Sequence, residues 1–240
     1  MIVKDRILDF FHYSTKNILF LIFVIAFMYF FDFLEAVSNN TFLMFLFSLP
    51  LAGYSLDIVK DTIKGGTQLP KINHKKIIIR GFKYSIVSYV FLIPNFVFLY
   101  LITFFTGFSF SFDFTDIIFH INEIIFDFSL DPIVFIIFFF SFCFVSYITI
   151  FFYEMSIAIL ADTDSLLSAF NIKEILRVIN NIGFTVYILD YTELIFTISL
   201  LWGISYFVDY LPGFSTLFSI LIFLIQSRAI GLIYRKSLDL

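Results

Sequence analysis

Every Lys and Arg of this chain can be placed on one face of a membrane, and no other feature restricts the possible folds as strongly. Read as six apolar stretches, the chain offers four segments to that face. They hold Lys4, Arg6 and Lys16; then Lys60, Lys64, Lys71, Lys75, Lys76, Arg80 and Lys83; then Lys173 and Arg177; and finally Arg228, Arg235 and Lys236. The three segments left for the opposite face contain no Lys or Arg. Basic residues resist translocation, so cytoplasmic loops collect them. The pattern predicts an all-α polytopic membrane bundle with six transmembrane helices and both termini cytoplasmic, in a cell membrane.

Composition agrees. The chain is 60% apolar and 14% charged, whereas soluble proteins are roughly half apolar and a quarter charged. A soluble fold of 240 residues with that balance would leave large apolar patches in water. The length suits a single membrane domain, residues 1–240. A net charge of −4 excludes nucleic acid as a partner, because that surface must be basic. The lone Cys143 excludes an intramolecular disulfide and a Cys-based metal cluster; it is expected as a small buried apolar side chain. The 39 Phe residues read as bulk for core and lipid-facing surface rather than as a ligand cage. Small residues are sparse, so packing is expected to rest on large interdigitated side chains.

A span needs about 20 apolar residues, and the stretches fall at about 17–34, 41–57, 84–105, 133–154, 183–207 and 214–234. The first is too long for a secretory signal and ends in the bulky Phe33-Leu34-Glu35. Between the second and third, Gly65-Gly66 marks a turn and Leu69-Pro70 ends the excursion. From Asn73, the charges Lys76, Arg80 and Lys83 recur at helical spacing opposite Ile72, Ile79 and Phe82. That predicts a short surface helix beside anionic headgroups. Pro94 predicts a kink in the third span, where Asn95 can bond a neighbour.

The outer loop carries Asp116, His120, Glu123 and Asp127 on one helical stripe, with Ile117, Ile121 and Ile124 on the other side. Such a stripe is a weak candidate for a divalent cation. Asp131-Pro132 is a helix start. Residues 165–180 form a second amphipathic helix carrying Lys173, Glu174 and Arg177. Tyr54 and Asp61-Thr62 after the second span, and Tyr153 and Asp162-Thr163 after the fourth, suggest a parallel internal repeat.

No catalytic motif is present and no cofactor is expected. His12, His74 and His120 lie in three different segments. Ionisable residues inside spans are costly and therefore informative. Glu154 follows Ile133 by 21 residues, about 31 Å of helix, which brings it to the inner interface. Asp190 and Arg228 lie at matching depths, about 10 Å from the inner face, and are expected to pair. Glu193 lies deeper and stacks with Asp190 and Thr197 at i, i+3, i+7. It reads either as a proton or cation site or as a neutral hydrogen-bonded carboxyl.

The run Gly53-Tyr54, Lys64-Gly65, Leu69-Pro70, Gly81-Phe82-Lys83 and Pro94 resembles the domain-of-unknown-function 4013 family. The closing Ala229-Ile230-Gly231-Leu232-Ile233-Tyr234-Arg235 is similar to that family's last helix. Gly66 is an insertion in the turn, and Phe82 stands where the family usually has Leu. The resemblance implies an integral membrane protein of several spans and an archaeal source, and it implies no activity. Three readings follow. The first is a non-enzymatic module organising membrane lipids, a membrane-protein partner or further copies of itself. The second is a small transporter or channel subunit using Asp190, Glu193 and Arg228. The third is a lipid-active enzyme using the stripe from Asp116 to Asp127.

Overall fold

The computed structural model describes residues 9, 12–37, 41–72, 76–106, 132–208 and 214–238. Those residues form helices and short turns, with no strand among them. The helices are α1 (Ile18–Val37), α2 (Thr41–Ile63), α3 (Ile77–Thr106), α4 (Pro132–Thr163), α5 (Leu166–Ala169), α6 (Ile172–Ile182), α7 (Phe184–Val208) and α8 (Phe214–Arg235). A long helix covers each of the six expected apolar stretches, starting within a residue of it or earlier.

Among the described residues, four segments are long and apolar enough to cross a membrane: Ile77–Ile102, Ile136–Thr163, Phe184–Ser205 and Phe218–Arg235. Bulky apolar side chains stay outside the fold, among them Phe42, Phe104, Phe140 and Phe196, each more than 60% exposed. A monomer in water rarely shows such a surface; hydrocarbon accepts it without cost. These helices mark a membrane protein.

The chain divides into two compact units, one combining Met1–Val87 with Glu154–Leu240, the other Ser88–Tyr153. In the first, α8 is the central helix, packed along α2 and α7 with α1 and α6 beside it. The Phe218–Arg235 stretch of α8 is 61% buried, against 28% for the apolar stretch of α7. Tyr13, Val24, Tyr54, Ile58, Leu69, Ile77, Ile220, Leu224 and Ile225 form the core around it. Three of the scarce glycines sit where helices touch, which departs from an expectation of packing by large side chains alone. A Cβ on Gly81 would lie 1.9 Å from the Leu49 carbonyl oxygen, one on Gly53 1.9 Å from that of Ile77, and one on Gly231 2.6 Å from Cβ of Thr62.

The second unit holds the later part of α3 and the earlier part of α4. The Ser88 and Tyr153 hydroxyls lie 3.0 Å apart, and the Phe98 and Phe142 rings stack at 6.4 Å. Pro94 lies inside the continuous helix α3. Cys143 is exposed rather than buried. It stands on an apolar helix whose outer face is itself hydrophobic, so exposure there does not mean contact with water.

Three boundaries differ from expectation. No separate surface helix is found between Ile77 and Lys83: these residues open α3 itself, because no Pro or polar break separates Lys83 from Tyr84. Residues 165–180 form two helices, not one. Ser165 caps α5, and Asn171 then starts α6 by accepting from the Lys173 and Glu174 amides at 3.1 and 3.4 Å. In α6, Ile175, Val178, Ile179 and Ile182 are buried while Lys173 and Arg177 are exposed, so this helix is amphipathic. Finally, α4 runs on to Thr163, past the expected end of the fourth stretch at 154, and Glu154 within it is fully buried.

Candidate functional site

The site grows from the end of α2. Gly65 takes φ = 83°, which only glycine adopts without strain. The Gly66 amide reaches back to the Asp61 carbonyl at 2.8 Å and the Gly65 amide to that of Thr62 at 3.0 Å. This paired 6→1 and 5→2 bonding is a Schellman stop, which ties up carbonyls that the helix end would leave open. It turns the Gly66 carbonyl toward α8.

There Arg228 receives it. Arg228 is 8% exposed; its Nη1 donates to the Gly66 carbonyl at 2.8 Å and to Thr62 Oγ1 at 3.1 Å. Its Nε donates to Asp9 Oδ2 at 3.1 Å, and its guanidinium lies 4.1 Å from the Tyr13 ring centre, a cation–π contact. Tyr13 in turn donates its hydroxyl to Asp61 Oδ2 at 3.1 Å. Burial, and then the Asp61 carboxylate, pushes the Tyr13 phenol above its usual pKa. Arg228, Gly231 and Arg235 recur at i, i+3, i+7, so one face of α8 carries the lock, the close contact with Thr62, and a second guanidinium beside Gly65.

A second group of charges ties α2 to the start of α3. Arg80 pairs with the largely buried Asp57 and reaches Asp164 Oδ2 at 3.5 Å. Lys83 donates to Asp164 Oδ1 at 3.0 Å and to its backbone carbonyl. Asp164 has φ = 58°, a left-handed conformation that Asp tolerates better than most residues. Burial opposes its ionisation, yet the Lys83 hydrogen bond and the Arg80 charge hold its carboxyl below the usual value. Burial and then the Arg80 charge lower the Lys60 pKa nearby. A third group closes the end of α8: Lys236 pairs with Asp190, and Tyr234 donates to Asp162 Oδ2 at 3.1 Å.

The expected Asp190–Arg228 pair is therefore replaced by two separate contacts. Asp190, 5% exposed, is reached by Lys236 from beyond α8, while Arg228 faces α2. Glu193 is half-buried on α7, and Thr197 returns its hydroxyl to the Glu193 carbonyl at 2.8 Å. Asn95 belongs to the second unit, where its Oδ1 accepts from Thr149 at 3.5 Å. Asp116, His120, Glu123 and Asp127 lie outside the described residues, and no three metal-ligating side chains converge among the described ones. Sequence reasoning missed Asp9, Tyr13, Thr62 and Asp164. The usable signal was the i, i+3, i+7 spacing of Arg228, Gly231 and Arg235, facing a double-glycine turn.

Several of the motif residues lie in the first unit beside these contacts. Gly53 and Gly81 bring α2 against α3, Tyr54 donates to the Pro70 carbonyl at 3.2 Å, Leu69 is 1% exposed, and Lys83 holds Asp164. A family model described as a protein of unknown function, DUF4013, matches residues 37–225. The chain belongs to the DUF4013 family. No curated protein and no solved structure matches it. The DUF4013 match takes in α2 through half of α8, so the Schellman turn, both close glycine contacts of α2 with α3, and the Asp57–Arg80–Asp164–Lys83 group all lie within it.

Proposed function

We propose that this DUF4013 chain is a non-enzymatic membrane module that organises lipids or partner proteins, built of six spans with both termini cytoplasmic, and of archaeal source as the resemblance implies. One observation carries the reading: Asp57 pairs with Arg80 across α2 and α3, Lys83 with Asp164 after α4, Lys236 with Asp190 on α7, and Arg228 of α8 with Asp9, Thr62 and the Gly66 carbonyl at the end of α2. Charges committed in this way hold helices in place, whereas catalysis or transport needs them turned toward a substrate. The amphipathic α6 offers a surface for a partner or a second copy.

Topology tests the architecture. In a Cys143→Ser background, a Gln68→Cys variant should react with an impermeant maleimide only in inside-out vesicles, and an Asp116→Cys variant only in right-side-out ones. Reaction of both from the same side would refute the six-span reading. A small transporter or channel subunit is the second reading, favoured by the wholly buried Glu154 in α4 and half-buried Glu193 in α7. An enzymatic role would need the stripe from Asp116 to Asp127.

A further inference from the structure

An apolar cavity of about 260 Å³ lies between α1, α2 and the approach to α3, walled by Phe23, Phe27, Pro50, Tyr54, Ile72 and Ile77 among others. Its size falls between the cavity of roughly 150 Å³ that holds a benzene and the 300 Å³ or more of pockets for drug-sized molecules. That is room for part of one hydrocarbon chain. The wall stays apolar because Tyr54 turns its hydroxyl away to the Pro70 carbonyl. The mouth is greasy as well, with Phe23 50% and Ile78 56% exposed.

Depth fits a lipid tail. Phe23 and Phe27 lie about 8 and 14 Å along α1 from Ile18, and Tyr54 and Pro50 about 9 and 15 Å along α2 before Lys60. The walls thus begin where headgroups give way to hydrocarbon. Charge completes the fit. Lys71 and Lys76 immediately precede the wall residues Ile72 and Ile77, and both are exposed. Neither joins an ion pair among the described residues. From Thr62 to Phe112 the chain has no Asp or Glu. From these observations we infer that the cavity holds one hydrocarbon chain of an anionic phospholipid whose phosphate rests against Lys71 and Lys76. The inference rests on the membrane reading above and uses none of the ion pairs of Asp57, Arg80, Lys83, Asp164, Asp190, Arg228 and Lys236.

The test uses the full chain with Trp202→Phe and Phe23→Trp, which leaves one fluorophore at the cavity mouth. The protein is reconstituted into vesicles of phosphatidylcholine containing acyl-brominated phosphatidylglycerol or acyl-brominated phosphatidylcholine. Flotation and alkaline extraction come first; loss of the protein from the vesicles would overturn the membrane reading and the lipid site together. With the protein retained, brominated phosphatidylglycerol should quench with about fivefold higher apparent affinity than brominated phosphatidylcholine, the factor that a single basic residue near a headgroup supplies. The preference should vanish in Lys71→Gln/Lys76→Gln and in the cavity-filling Leu51→Phe. Equal quenching by the two lipids in the parent, or a preference that survives either variant, would overturn the lipid site alone.

Discussion

Replacing Arg228 by Met should cost about 3 kcal/mol of stability, and the figure can be built from its contacts. The guanidinium donates to the Gly66 carbonyl at 2.8 Å and to Thr62 Oγ1 at 3.1 Å, and Thr62 is fully buried. Each charge-assisted bond is worth about 1.5–3 kcal/mol, and each acceptor left dry costs about 1–3. The contact with the buried Tyr13 ring adds about 0.5–2 kcal/mol. The Asp9 bond adds little, because that carboxylate is 38% exposed and water screens it. Against these gains stands the desolvation of the cation itself, which a buried Met avoids. The net is about 3 kcal/mol, or roughly 6–12 °C in the melting midpoint of a chain this long. Arg228→Lys keeps the charge but loses the planar fork, and should fall between parent and Met. Thermal unfolding in mild detergent reads both. An Arg228→Met protein that melts within about 2 °C of the parent would show that these bonds do not hold α8 to α2.

Other outcomes follow from the same contacts. Asp190→Asn should destabilise on its own and combine with Arg228→Met additively to within about 0.5 kcal/mol, since the two residues use different partners; a double-mutant cycle with larger coupling would restore the direct pair. Gly81→Ala puts a methyl against the Leu49 carbonyl, where the contact would be 1.9 Å; backbone must move, so the unfolding midpoint should drop by at least the amount expected for an overpacked core, about 1–3 kcal/mol. The Asp164 carboxyl is held below its usual 3.8, so its contribution is complete above that pH and fades only as pH falls through the lower folded value. Lys83→Met removes the strongest influence favouring the carboxylate and leaves burial opposed chiefly by Arg80, so acid unfolding of that variant should begin at a higher pH than in the parent.

What the chain discloses by itself is one coordinate: position along a helix, and hence depth. Segregated Lys and Arg give apolar stretches and their order, because translocation cost acts on the segment and not on the fold. Depth also placed Asp190 beside Arg228, and there it failed. Which way each helix turns its residues depends on the bond from Arg228 to the Gly66 carbonyl and on the crossing at Gly231, and both are tertiary facts. The lysine and arginine face from Lys76 to Lys83 has the spacing of a surface helix. Only the close approach of Leu49 to Gly81, and of Asp57 to Arg80, packs it against α2 as the beginning of α3. Asn171 looked like one more polar residue in an amphipathic run, yet its side chain starts a new helix. The turn at Gly65-Gly66 was legible because positive φ is a local demand. Asp9 and Tyr13 were not, since nothing local aims them at a residue more than 200 positions away.

The account holds that the buried charges tie helices together and do not line an aqueous path. The most direct test is water access at position 193, the tenth residue of α7. In a Cys143→Ser background, a Glu193→Cys variant in native membranes is challenged with a small, impermeant thiol reagent, with Gln68→Cys as the accessible control. Gln68 is chosen because it is exposed, whereas a side chain at Gly66 would collide with Asp61. The account predicts protection at 193 from both sides of the membrane while the control reacts from the cytoplasmic side. Labelling at 193 from either side would contradict it, and would move the transport reading ahead.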